Sequence, residues 1–265
     1  FGFKKNKITG LIFEKDFKVL LRNDYNKINL KILETGVKAE FLINPKSSND
    51  SIQGNSKINI TGNLIKFEFN VDKNQLILTK ASLRNRDLNI NFDSIIKLNP
   101  FFYINSKVVI KEFNNKLFKK INLEKILKNN KKIIQKLNLK SSINYNSKRF
   151  SSSFLESYSS SSSLAYGRLY LLDKAVVSGG EISCKAESNV IDPFPRIEFL
   201  CSIKIKDLNK LLKKLSISKK LTNNKFDIYF EGSLNILSKK INFKKITNND
   251  DYLANKEDLK YFKEI

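Results

Sequence analysis

The chain has 265 residues, 41% of them hydrophobic, and its 49 Lys+Arg against 26 Asp+Glu give a formal net charge of +23. That hydrophobic share excludes wholesale disorder, and that length allows one large β domain or two smaller ones. His is absent, which removes the commonest general base and the commonest metal ligand and argues against an enzyme.

The charge points to a polyanion, either nucleic acid or an anionic membrane surface. A second account is compositional. Lys, Asn and Ile abound while Arg is scarce, as a strongly AT-rich genome would dictate, and the lysines are spread over every segment. Readers of phosphate and base edges depend on Arg, so a nucleic-acid partner is disfavoured. The chain lacks Met and opens on Phe1-Gly2-Phe3, which reads as the interior of a longer protein. No run approaches the ~18 apolar residues of a membrane helix, and no signal peptide is visible at the start.

Residues 8–43 alternate in short runs: Ile8–Ile12, Phe17–Leu20, Ile28/Leu30/Ile32 and Val37/Ala39/Phe41/Ile43. Pro45–Gly54 reads as a loop by composition. Residues 57–96 then alternate most clearly, through Ile58 and Ile60, Phe67, Phe69 and Val71, and Leu88, Ile90 and Phe92. Turn signals at Thr61-Gly62-Asn63, Asp72-Lys73-Asn74 and Arg84–Asp87 separate these runs. Period-2 alternation with such punctuation means antiparallel strands with one greasy and one wet face. Parity slips between Leu64 and Phe67, so a bulge or short turn near Ile65-Lys66 is expected to restore a common face. Phe102, Ile104, Val108 and Ile110 predict one more strand.

From Lys111 the period becomes helical. Leu123, Ile126, Leu127, Ile133, Ile134 and Leu137 form a stripe opposite Lys125, Lys128, Lys132 and Lys136, with Asn122 as the cap. Such a helix lays its stripe on a sheet or, in the sharper reading, on a membrane surface. Ser147–Ser163 is Ser-rich and reads as a loop and an internal boundary. Strands resume at Leu164 and include Ile197, Phe199, Cys201, Ile203 and Ile205. A short helix follows at 207–216, more strands at Phe226–Ile236 and Ile241–Phe243, and a truncated helix at Asn255–Ile265. Val108–Ile121 and Ile203–Leu215 echo one another, which suggests a repeat. The expected organisation is a β repeat segment over 1–110, a helical insert over 111–140, a strand and Ser-rich loop over 141–163, a second β segment over 164–246 and a terminal helix over 247–265. Together these read as one continuous elongated domain.

Chemistry-bearing motifs are few. A hairpin around Asp192–Pro195 in which Cys184 faces Cys201 also pairs Ile182 with Ile203 and Ala186 with Phe199 on one apolar face. That register brings the thiols together as a disulfide or leaves them as two small buried hydrophobes. Asp87, Asp93, Glu181 and Asp192 show no acid/base spacing, and Gly179-Gly180 reads as a bulge. No catalytic, metal or cofactor site emerges. What remains is the greasy face. The few helices cannot roof so many strands, so the sheet meets a second sheet as a sandwich or curls into an open groove suited to acyl chains. Pattern alone does not choose.

The runs KITGLIFEKDFKVLL, KINITGNLIKFEFNV and LAYGRLYLLDKAVVSGGEISCKAESNVIDPFPRIEFLCSIKIKDLNKLLKKL resemble the AsmA-like family, closest to its C-terminal region, in strand grammar and order of elements. The resemblance covers most of the chain. It implies a mainly β fold, a long twisted antiparallel meander curled into an open apolar groove with a few amphipathic helices on it. It implies a periplasmic location, an inner-membrane anchor outside this chain and envelope protein partners. The implied role is carriage of phospholipid acyl chains towards the outer membrane, with no catalytic residues. It also supplies an oxidising compartment for Cys184 and Cys201. The expected groove lining is Ile58, Ile60, Leu64, Phe67, Phe69, Val71, Leu88, Ile90, Phe92, Ile197, Phe199, Ile203 and Ile205.

Overall fold

The structure, a computed structural model, describes residues 2–4, 6–12, 15–45, 51–60, 63–99, 101–114, 127, 131, 134–147, 154–218, 222, 224–248 and 252–264. It is mainly β, built of antiparallel strands in meander order. The chain forms two compact units, Phe1–Lys119 and Lys120–Ile265. The break falls inside the stretch read as the helical insert and not in the Ser-rich tract.

In the first unit ten strands follow one another: β1 (Gly2–Lys4), β2 (Lys7–Ile12), β3 (Lys15–Arg22), β4 (Lys27–Ile32), β5 (Val37–Ile43), β6 (Ile52–Ile60), β7 (Asn63–Val71), β8 (Gln75–Arg84), β9 (Leu88–Lys97) and β10 (Tyr103–Phe113). Each pairs antiparallel with the next. Short polar turns make this possible. Asp72 Oδ1 accepts the backbone N–H groups of Asn74 and Gln75 at 2.7 and 2.9 Å. Asn85 Oδ1 accepts those of Asp87 and Leu88 at 2.8 and 2.7 Å. Side chains that close their own turns in this way fix hairpin register. β6 starts at Ile52, so part of the expected loop over 45–54 is strand.

The second unit continues the pattern with β11 (Asn138–Asn146), β12 (Leu155–Ala165), β13 (Arg168–Val177), β14 (Gly180–Asn189), β15 (Arg196–Ile205), β16 (Phe226–Asn235) and β17 (Ile241–Asn248). Helix α1 (Leu208–Lys214) lies between β15 and β16, and α2 (Lys256–Glu264) follows β17. The Ser-rich tract corrects the loop expectation. Ser157–Ser163 lie in β12 and pair with β11 on one side and β13 on the other. Ladder bonds use only the main chain, so serine serves in a strand whose neighbours carry the apolar bulk. Gly179 is not a bulge either. It sits at φ +94° in the tight turn after Val177, which pairs with Gly180; a positive φ of this kind suits glycine.

The parity slip also resolves differently. Ile60 pairs with Asn63 and Ile58 with Ile65, so the β6–β7 turn itself resets parity. The irregularity lies one strand further on. Lys66 and Glu68 stand opposite Ser82 and Thr79, and Ala81 and Leu78 opposite Phe92 and Ser94, which makes Lys80 the extra residue of β8. Its φ is +50°.

The buried cluster of the second unit sits at the end of the sheet where Leu164, Leu169 and Ile197 meet Ile134, Val190 and Ile236, with Leu127 and Ile191 against them. Leu127 and Ile134 thus rest on the sheet, as the helical stripe led one to expect. The stripe's Leu123, Ile126 and Ile133, the cap at Asn122 and the helical half of the first echo lie outside the described residues. In the second copy the strand Ile203–Ile205 does lead to α1.

Candidate functional site

In each unit, register sorts the side chains into two faces. In the first, one face carries Phe17, Val19 and Leu21; Ile28, Leu30 and Ile32; Val37, Ala39 and Phe41; and Ile58 and Ile60. It continues through Ile65, Phe67, Phe69 and Val71, then Leu76, Leu78, Ala81 and Leu83, then Leu88, Ile90 and Phe92, and ends on Ile104, Val108 and Ile110. The strand interiors of this face hold no charged side chain among the described residues. Two serines on it, Ser94 and Ser106, bond one another at 2.7 Å.

The expected lining residues Ile58, Ile60, Phe67, Phe69, Val71, Leu88, Ile90 and Phe92 all lie on this face. Leu64 does not. It pairs with Asn59 on the opposite, charged face and is 37% exposed. Counting by twos through a turn that resets parity had put it on the wrong side. The aromatic residues gather into edge-to-face contacts, Phe41–Phe69 at 6.1 Å and Phe67–Phe69 at 6.4 Å between centroids, the arrangement that ring quadrupoles favour.

In the second unit Ile197, Phe199, Ile203 and Ile205 share a face with Cys201. Ile182 and Ala186 lie opposite Ile203 and Phe199. Cys184 lies opposite Cys201, and the two form a disulfide with an S–S distance of 2.11 Å. Phe199, Phe230 and Phe243 contact one another edge to face at 6.0–6.2 Å. Sequence reasoning omitted Phe41, Phe230 and Phe243 from the lining although their strands alternate as cleanly as the others.

The opposite faces carry the charge. Lys27 bonds Glu40 at 2.7 Å, Lys80 bonds Glu68 at 2.9 Å, Lys174 bonds Glu181 at 2.9 Å and Lys244 bonds Glu198 at 2.6 Å. Lys27 holds the Glu40 carboxyl below its usual range, chiefly by hydrogen bonding. Lys18, Lys31 and Lys38 stand directly opposite one another on β3, β4 and β5. Depressions of about 560 and 590 Å³ open on these polar faces, the first bordered by Leu172, Leu200 and Tyr229 and the second by Lys18, Lys31, Lys38 and Lys57.

The apolar face of the first unit is sheltered without being sealed. Among the described residues of the first unit the apolar side chains that are buried are Ala39 and Ala81, whereas the second unit buries Ile205 to 2% exposure and Val177 to 3%. A sandwich core would bury Phe, Ile and Leu as well, which the first unit does not do among its described residues. Among the described residues no cluster of His, Cys, Asp or Glu could hold a metal, and no helix is long and apolar enough to cross a membrane. No protein-family model, curated protein or solved structure matches the chain.

Proposed function

We propose that the apolar face of the meander shields lipid acyl chains, and that the chain is a periplasmic segment of an AsmA-like envelope protein carrying phospholipid between the inner and outer membranes. An anchor outside this chain would hold it at the inner membrane. The observation that carries the reading is a one-sided apolar face running over consecutive strands, on which the first unit buries no Phe, Ile, Leu or Val among the described residues, only Ala39 and Ala81. Apolar surface of that extent left without a covering layer is costly in water and marks a binding surface. Acyl chains suit it because they need no directed hydrogen bonds. The disulfide fits an oxidising compartment.

The test is lipid bound to the purified protein, read by mass spectrometry, in the natural chain and in the triple variant Phe69→Asp, Phe92→Asp, Phe199→Asp. Each substitution puts a carboxylate on the apolar face, so co-purified phospholipid should fall to background. An unchanged lipid load in a triple variant with native circular dichroism would sink the reading.

A second reading, binding of a nucleic acid or other polyanion, draws on the Lys18–Lys31–Lys38 row. Like charges directly opposite destabilise a sheet, and an anion would relieve them. It predicts binding to duplex DNA with a steep dependence on salt, weakened by Lys31→Gln and untouched by the triple Phe variant.

A further inference from the structure

The apolar face of the second unit holds one polar patch. On β14–β17 it is built of side chains such as Ile182, Phe199, Phe230 and Phe243. On β11–β13 the same face keeps apolar side chains, among them Ile143, Leu164, Leu169, Leu171 and Ala175, and sets hydroxyls and one carboxylate between them: Ser141, Ser162, Ser160, Tyr158 and Asp173. Asp173 stands beside the Cys184–Cys201 disulfide, paired with Cys184 on one side and Ser160 on the other. At ~4.8 Å between strands the apolar part extends roughly 14 Å from β14 to β17. A polar patch joined to an apolar strip is the footprint of an amphiphile lying across the strands.

Asp173 gives that patch its sign. One other carboxylate, Glu156 at the β12 bulge, is buried nearby, with its Oε1 3.5 Å from Lys210 Nζ. Asp173 has no cation beside it among the described residues. Its Oδ1 accepts from the Tyr158 hydroxyl at 2.9 Å, and no protein donor reaches Oδ2 among the described residues. Ser160, only 8% exposed, bonds the Tyr158 hydroxyl in turn. Burial holds the Tyr158 phenol above its ordinary range, so it stays protonated and able to donate at neutral pH. A carboxylate set among apolar side chains is costly to leave without a partner.

We propose that Asp173, braced by Tyr158 and Ser160, receives the ammonium group of a zwitterionic lipid whose chains lie on the Ile and Phe side chains of β14–β17. This rests on the acyl-chain reading and adds the class of headgroup. In the second unit the strand lysines Lys140, Lys174, Lys185 and Lys204 stand on the opposite face, while this face presents an anion. Headgroups with an ammonium are therefore selected over headgroups that carry only negative charge.

The experiment equilibrates the protein with vesicles of equal phosphatidylethanolamine and phosphatidylglycerol, re-isolates it and counts bound lipid by class. The natural chain should hold phosphatidylethanolamine in about tenfold excess, the value of one charged hydrogen bond. Asp173→Asn, which can still accept from Tyr158, should bring the ratio towards one, and Asp173→Glu should restore part of it. Glu187→Gln removes an equal charge from the polar face and should keep the excess. A ratio unchanged in Asp173→Asn, or lost equally in Glu187→Gln, overturns the proposal. Bound lipid without class preference in the natural chain overturns this proposal alone, whereas no bound lipid at all overturns the acyl-chain reading with it.

Discussion

Phe199 on β15 stands directly across from Gly232 on β16, and its ring lies over the glycine. A Cβ added to Gly232 would come 2.8 Å from Phe199 Cζ and 2.5 Å from the Asn242 carbonyl oxygen. The first unit repeats the device. Phe69 on β7 faces Gly54 on β6, where an added Cβ would come 2.8 Å from Phe69 Cζ. Glycine in a strand leaves its backbone bare, and a cross-strand aromatic ring covers it. Gly232→Ala should therefore displace the Phe199 ring and strain the β16–β17 pairing, at a cost of about 1–3 kcal/mol. Urea unfolding measures the loss, and a variant as stable as the natural chain would show that the ring has room to move.

Lys80 turns β8 over. Leu76 and Leu78 before it, and Ala81 and Leu83 after it, reach the same face only because one extra residue intervenes. Its φ of +50° costs a non-glycine residue about 1 kcal/mol or more. Asp93 Oδ1 accepts its backbone N–H at 3.0 Å, and its Nζ bonds Glu68 at 2.9 Å on an exposed surface. Lys80→Gly should leave stability unchanged or raise it by up to ~1 kcal/mol, the gain offset by the lost ion pair. Lys80→Val should destabilise by ~1–2 kcal/mol. Deleting Lys80 should be far worse, because a one-residue slip sends half of the strand's apolar side chains to the charged face. Equal stabilities for the Gly and Val variants would remove the backbone explanation.

Period-2 alternation makes the strands and their greasy face readable in the sequence, since pleating alone sends alternate side chains to one side. Hence every expected lining residue except Leu64 lies on the sheltered face of its own unit. The failures share a cause. Leu64 depends on turn length and Lys80 on a positive φ, and neither leaves a mark in hydrophobicity. Ser157–Ser163 looked like linker because composition reports on side chains, while a central strand is held by its main chain. Asp173 was invisible as a singular charge. Only the pairing of Asp173 with Cys184 puts it on the apolar side. The Cys184–Cys201 register, by contrast, was legible because three apolar or thiol pairs had to align at once.

Cys184 and Cys201 close the β14–β15 hairpin at a sequence separation of 17. Loop-closure entropy assigns a cross-link over such a span about 3 kcal/mol. The double variant Cys184→Ser, Cys201→Ser should thus lower the stability of the second unit by roughly that amount while keeping its register, because Ile182–Ile203 and Ala186–Phe199 still align. Urea unfolding of the double variant, and of the natural chain with and without reductant, gives the number. Loss of the native circular dichroism in the double variant would mean that the disulfide, and not the apolar pairs, sets the register.

Asp207 caps α1. Its Oδ1 accepts from the Lys210 backbone N–H at 2.9 Å and from Asn224 Nδ2 at 3.1 Å, while Asn224 Oδ1 accepts from the Asn209 N–H at 2.7 Å. The Lys210 N–H first, and the Asn224 amide second, hold the Asp207 carboxyl below its ordinary range. A carboxyl lowered on folding binds its proton more readily in the unfolded chain, so its contribution is present above the unfolded pKa of about 4 and is lost as pH falls through the lower folded value. Acidification below about pH 4 should therefore loosen the start of α1, read as faster hydrogen exchange at the Lys210 amide. Glu40, Asp72, Glu181 and Asp258 are shifted in the same direction, so a global melt would mix their losses with this one. Asn is as good a cap as Asp but carries no charge to lose. In Asp207→Asn the Lys210 amide should keep its protection at neutral pH and show no acid step. An acid step of the same size in that variant would assign the loss to another carboxylate.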